Sequence, residues 1–92
     1  MSPDVAETHA ARVFAWLVGQ EELLPIFMGA SGASLDDLKT HSGDPSFLGS
    51  VMDFILMDDA WVIDAAAGTG IKPEDMMLIR GTLAGGEQVH WT

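Results

Sequence analysis

The stretch FLGSVMDFIL, Phe47 to Leu56, decides the fold. At the helical spacing of about 100° per residue, Phe54, Phe47, Val51, Ile55, Leu48, Met52 and Leu56 fill an arc of roughly 200°. Gly49, Ser50, Asp53 and Met57 take the remaining sector. A surface helix buries a narrower stripe, so this segment must be touched by neighbours on several sides. Asp44 and Pro45 supply its start: an N-cap carboxylate, then a proline at the first helical position. The reading is a central helix near residues 45–57. Asp58 and Asp59 sit badly at the negative pole of that helix but suit the N-cap of another, so a break falls there.

Toward the N-terminus, Ser2, Pro3 and Asp4 combine a hydroxyl cap, an N1 proline and an acid in the first turn of a helix running to Val18. Its apolar arc holds Val5, Ala6, His9, Ala10, Val13, Phe14, Trp16 and Leu17, and Gly19 ends it. Pro25 cannot occupy a helix interior, which restricts Leu24 to Met28 to a turn or two that plugs one end of the core. GASGAS, residues 29–34, reads as a turn, and Ser34 with Asp37 as a capping box opening a helix from Leu35 to about Ser42. Toward the C-terminus, a helix through Trp61 to Ala67 is closed by Gly68 and Gly70. Lys72 to Asp75 begin the last helix, with Ile71 stapled to Met76, a face of Met76, Ile79 and Leu83, and Gly85 and Gly86 as the stop. Short connections cannot align so many helices in parallel. The expected fold is all-α, a compact orthogonal bundle of five or six short helices. Residues 1–92 make a single domain, with 87–92 as a tail whose Val89 and Trp91 fold back onto the core.

Composition narrows the function classes. An apolar fraction of 48% is too high for a disordered acidic chain, so the carboxylates must coat a packed core. Fourteen acidic against four basic side chains give a net charge of -10, which repels nucleic-acid phosphates and anionic membrane surfaces alike. Neither nucleic acid nor membrane is an expected partner. There is no cysteine, which removes disulfides, thiolate metal sites and thiol nucleophiles and fits a reducing compartment. No apolar run reaches the roughly 20 residues of a membrane span, and MSPDVAETH lacks the basic start of a signal peptide, so a cytoplasmic location is expected.

Three phrases, ELLPIFMGASGAS, GDPSFLGSVMDFILMDDAW and GGEQVHWT, together resemble a family of small alphaproteobacterial proteins classed only as a domain of unknown function. The resemblance covers nearly the whole chain. It implies a domain of about 90 residues and a setting in bacterial signalling, and it brings no catalytic residue, cofactor or substrate.

The residues themselves offer few sites. Asp53, Asp58 and Asp59, ahead of Trp61, could ligate a divalent cation through oxygen or meet a basic partner, although no EF-hand spacing fixes further ligands. The bland alternative is that Asp53 marks a solvent strip and the other two cap a helix. His9 lies within an apolar arc, where a core histidine is the commoner role; with Trp16 it could instead line a cavity. His41 and Asp44 have a loose metal-like spacing across a glycine turn, the commoner role for His41 being a charge at the C-terminal end of its helix; His90, next to Trp91, could stack on a ligand, the commoner role being to dock with the tail. GASGAS and the GTG at Gly68 to Gly70 follow no strand and carry no P-loop lysine, so they are turns. No histidine is placed to activate Ser31, Ser34, Ser46 or Ser50, and neither an enzyme nor a bound cofactor is expected. Met57 and Met77 lie off the apolar arcs of their helices and are the best exposed apolar contacts. The leading expectation is an acidic protein–protein interaction module for a basic or amphipathic partner, contacted through Met57, Asp58, Asp59, Trp61, Met77 and Trp91. The alternative is a small-ligand or divalent-metal binding protein.

Overall fold

A computed structural model describes residues 1–83, which form six α-helices and no strand. The expected tail contacts of Val89, His90 and Trp91, and the stop at Gly85 and Gly86, lie outside the described residues. In order the helices are α1 (Pro3–Val18), α2 (Leu23–Ser31), α3 (Leu35–His41), α4 (Pro45–Ile55), α5 (Asp59–Thr69) and α6 (Met76–Thr82). A 3₁₀ turn at Pro73–Asp75 leads into α6. The principal extents of 30 × 26 × 24 Å are nearly equal, as steeply crossed short helices require and an aligned bundle would not allow.

Local chemistry starts the helices where the side chains dictate. The Val5 amide donates to Ser2 Oγ at 3.2 Å, Ser46 to Asp44 Oδ1 at 2.9 Å and Ala60 to Asp58 Oδ1 at 2.8 Å, each satisfying an otherwise orphaned N–H. At α3 the capping box is complete. The Asp37 amide donates to Ser34 Oγ and the Ser34 amide to Asp37 Oδ2, and these Ser34 bonds hold the Asp37 carboxyl below its ordinary pKa. Two chain reversals use glycine in the left-handed region, Gly32 at φ 75° after α2 and Gly70 at φ 78° after α5.

Helix α4 is buried along Leu48, Val51, Met52, Phe54 and Ile55, and it packs on α1, α2, α5 and α6. It ends two residues earlier than expected, because the Leu56 and Met57 amides turn back onto Met52 and Phe54 ahead of the Asp58 cap. It also shares its central role. Helix α1 touches the same α2, α5 and α6, burying Ala6, Ala10, Val13 and Leu17 completely, and its alanines let other helices approach closely.

Three local expectations need correction. Helix α2 spans nine residues rather than a turn or two, because Pro25 falls in its first turn, where a missing N–H removes no intrahelical bond. GASGAS is therefore only partly a turn: Gly29, Ala30 and Ser31 finish α2. Gly68 does not close α5 but lies inside it, with Gly70 alone as the C-cap. A Cβ at Gly68 would overlap the Trp16 indole, so glycine there is what lets α1 lay its tryptophan against α5.

The aromatic rings form one connected series across four helices. Phe14 of α1 meets Phe47 of α4 edge-on at 5.3 Å, and Phe47 meets Phe27 of α2 at 6.0 Å. Phe27 meets Phe54 at 5.3 Å, and Phe54 stacks on Trp61 of α5 at 4.5 Å with 25° between the planes. Edge-to-face and stacked pairs each add roughly 0.5–1.5 kcal/mol beyond area burial. The series thus ties α2 to α4 and carries rigidity from the core out to Trp61.

Candidate functional site

The polar sector of the α4 segment is exposed at Ser50, Asp53 and Met57, as its sequence suggests, but one residue within it is covered. Gly49 is buried, because the Arg80 guanidinium of α6 lies over it, 3.2–3.6 Å from where a Cβ would stand. One turn on, Asp53 receives that guanidinium in a bidentate pair, from Nε at 2.5 Å and Nη2 at 2.9 Å. The Arg80 side chain is 19% exposed and the Asp53 side chain 57%, so the pair lies half in solvent. It serves to dock α6 onto α4. Asp58 is engaged as the α5 N-cap, and Asp59 follows in the first turn near the positive pole. Among the described residues no three His, Asp or Glu side chains converge so as to hold a metal ion. The metal candidate of Asp53, Asp58 and Asp59 is therefore not assembled; Asp53 is held by an arginine and Asp58 by a backbone amide.

The other sequence candidates disperse over the surface. His41, in the last turn of α3, has Nδ1 3.9 Å from Asp44 Oδ2, both side chains half-exposed. His9 is half-buried on α1 with Nδ1 enclosed and bonded to nothing among the described residues. Met57 and Met77 are 71% and 74% exposed, the most exposed large apolar side chains described. Met57 lies beside a shallow depression with Phe27, Ser50, Asp53 and Phe54.

What the fold does bring together is a cleft of about 410 Å³ between α1, α5 and the start of α2. The two tryptophans Trp16 and Trp61 line it with Leu23, Ile26 and the carboxylates of Glu21, Glu22 and Asp64. Each side chain is there for a local reason. Trp61, Asp64 and Gly68 recur at the i, i+3, i+7 spacing of one α5 face, so the glycine that seats Trp16 and the tryptophan opposite lie two turns apart. Trp61 has one ring face on Phe54, which leaves the other face and an edge for the cleft. The Gln20 side-chain amide donates to the Trp16 carbonyl at 3.2 Å, closing the end of α1 as the chain bends by 115° into α2. That bend presents Glu21 and Glu22 at the rim.

The electrostatics of the cleft are one-sided. None of the four basic residues, Arg12, Lys39, Lys72 and Arg80, lines it, and among the described residues no ion pair engages Glu21, Glu22 or Asp64. The positive pole of α2 offsets part of the charge on Glu21 and Glu22. Three carboxylates beside two indoles nonetheless make a negative pocket with aromatic walls. His9 does not line this cleft; the second aromatic wall beside Trp16 is Trp61. Sequence reading places Trp16 and Trp61 separately and misses Glu21, Glu22, Asp64 and Ile26, since only the α1–α2 bend and the Gly68 contact bring them together.

No single described helix is long and apolar enough to cross a membrane; α1 and α2 pass that test only as a pair, across their 115° bend. No curated protein and no solved structure matches the chain. A family model described as "Protein of unknown function (DUF3572)" matches residues 3–86, which takes in every helix described above, and the chain therefore belongs to that family.

Proposed function

We propose that this domain is a protein–protein interaction module that receives a basic or amphipathic segment of a partner protein. The observation that carries the reading is the cleft between Trp16 and Trp61, where three carboxylates stand beside half-buried aromatic rings with no basic side chain among the described residues in the lining. Large aromatic side chains left partly in water are the residues most enriched at the anchors of interfaces. A net charge of -10 steers cationic partners toward the whole surface, while the cleft supplies a concave place where three carboxylates and two indoles coincide. The exposed Met57 and Met77 lie outside that cleft and belong to its surroundings at most.

The test is fluorescence anisotropy with a labelled basic amphipathic peptide and an acidic peptide of the same length. Binding of the basic peptide at about 50 mM salt should weaken at least about tenfold by about 300 mM as screening shortens the electrostatic range, and the acidic peptide should not bind. Absence of binding at the lower salt, or binding indifferent to salt, overturns the reading.

A further inference from the structure

We infer that the occupant of the Trp16–Trp61 cleft is the guanidinium of a single arginine, presented by a basic segment of the partner protein. This rests on the interaction-module reading above and specifies its recognition chemistry. Both walls are indoles, whose ring faces carry the strongest negative quadrupole of any side chain and attract a cation lying over them. A guanidinium is planar and weakly hydrated, so it can stack on indole and give up water at lower cost than a compact, tightly hydrated ammonium. Its fork of N–H donors suits carboxylates, and Glu21, Glu22 and Asp64 line the same cleft with no ion pair to them among the described residues. Leu23 and Ile26 provide apolar surface for the methylene stem of a long basic side chain.

The molecule already contains one guanidinium seated in a related way. The Arg80 guanidinium lies over the α4 backbone at Gly49 with its fork on Asp53 and is largely shielded from solvent. There the flat surface is a glycine and the carboxylate stands one helical turn along. In the cleft the flat surfaces are indole rings, and Trp61 and Asp64 stand three residues apart on α5. The same components are present at both places, but in the cleft the arginine must come from outside the described residues. Other occupants fit less well. A neutral aromatic or aliphatic group would leave the three exposed carboxylates without a charge partner. An anion would be repelled outright.

The test uses three peptides identical except at one central position, occupied by arginine, lysine or citrulline, the last keeping the planar shape without the charge. They are titrated calorimetrically into the wild-type domain, into a cleft variant E21Q/E22Q/D64N and into a remote variant D4N/D36N/E74Q. Every substituted side chain is exposed, so both variants should fold, and both change the net charge by three. The arginine peptide should bind about fivefold more tightly than the lysine peptide and more than about tenfold more tightly than the citrulline peptide. The cleft variant should weaken the arginine peptide at least about tenfold, and the remote variant less than about threefold. Equal weakening by the two variants would overturn the cleft as the site while leaving a basic partner in place. Equal affinity of arginine and citrulline peptides would overturn the guanidinium. If no peptide binds the wild type, the interaction-module reading falls with the inference.

Discussion

Replacing Phe27 with alanine should destabilise the domain by about 3–5 kcal/mol, a large share of the roughly 5–15 kcal/mol that holds a domain of this kind together. Phe27 is 1% exposed and stands in the middle of the aromatic series, against Phe47 on one side and Phe54 on the other. Truncation would leave a cavity bounded by two helices whose backbones cannot close on it, which places the cost at the upper end for large-to-small changes. It would also detach α2 from α4. The neighbouring Ile26 is 50% exposed on the same helix, and Ile26→Ala should cost less than about 1 kcal/mol. Urea unfolding of both variants measures the difference. Similar losses would mean that α2 is held by its exposed face and that the ring contacts contribute little.

Gly68→Ala should destabilise by about 1–3 kcal/mol, against the ordinary direction of that substitution. Alanine in a helix interior is favoured over glycine by roughly 0.5–1 kcal/mol, so an unconstrained site would gain stability. At Gly68 the new methyl would collide with the Trp16 indole, and either the ring leaves its seat or α1 and α5 move apart. Gly81 in α6 is the internal control. Among the described residues nothing lies within 4 Å of its would-be Cβ, and Gly81→Ala should stabilise by about 0.5–1 kcal/mol. Opposite signs in thermal unfolding are the expected result. The loss at Gly68 should also shrink in a Trp16→Ala background, since the two changes share one contact. Stabilisation by Gly68→Ala in the wild type would mean that Trp16 is not seated on α5 and that the cleft lacks one of its walls.

These two positions also mark where sequence reading succeeds and where it stops. Helix starts at Ser2, Ser34, Asp44 and Asp58 are legible because a cap and the amide it accepts from lie within three residues, and no distant partner can alter that. The face of Met76, Ile79 and Leu83 is legible for the same kind of reason, helical periodicity, and all three are buried. Pro25 misleads because the same residue breaks a helix interior and is harmless in a first turn, and the start at Leu23 is set by packing rather than by a side-chain cap. Gly49 and Gly68 mislead in a different way. Each looks like an absence of side chain on a polar strip or at a helix end, yet each is the seat of a large group from another helix, Arg80 in one case and Trp16 in the other. A glycine's requirement for space is written in its partner's position, which periodicity does not encode. The cleft inherits this: Trp61 is recognisable as a contact residue, while Glu21 and Glu22 gain their meaning only from the 115° bend between α1 and α2.

A basic segment received in the Trp16–Trp61 cleft should perturb the amides that line it, which two-dimensional NMR maps residue by residue. On titrating the arginine peptide into the 15N-labelled full chain, the largest shift changes should fall on the amides of Gln20 to Leu23 and of Trp61 to Asp64, with the indole N–H signals of Trp16 and Trp61 moving together along one saturating curve. Changes centred instead on Met57 or Met77, with the Trp16 and Trp61 indoles stationary, would contradict it.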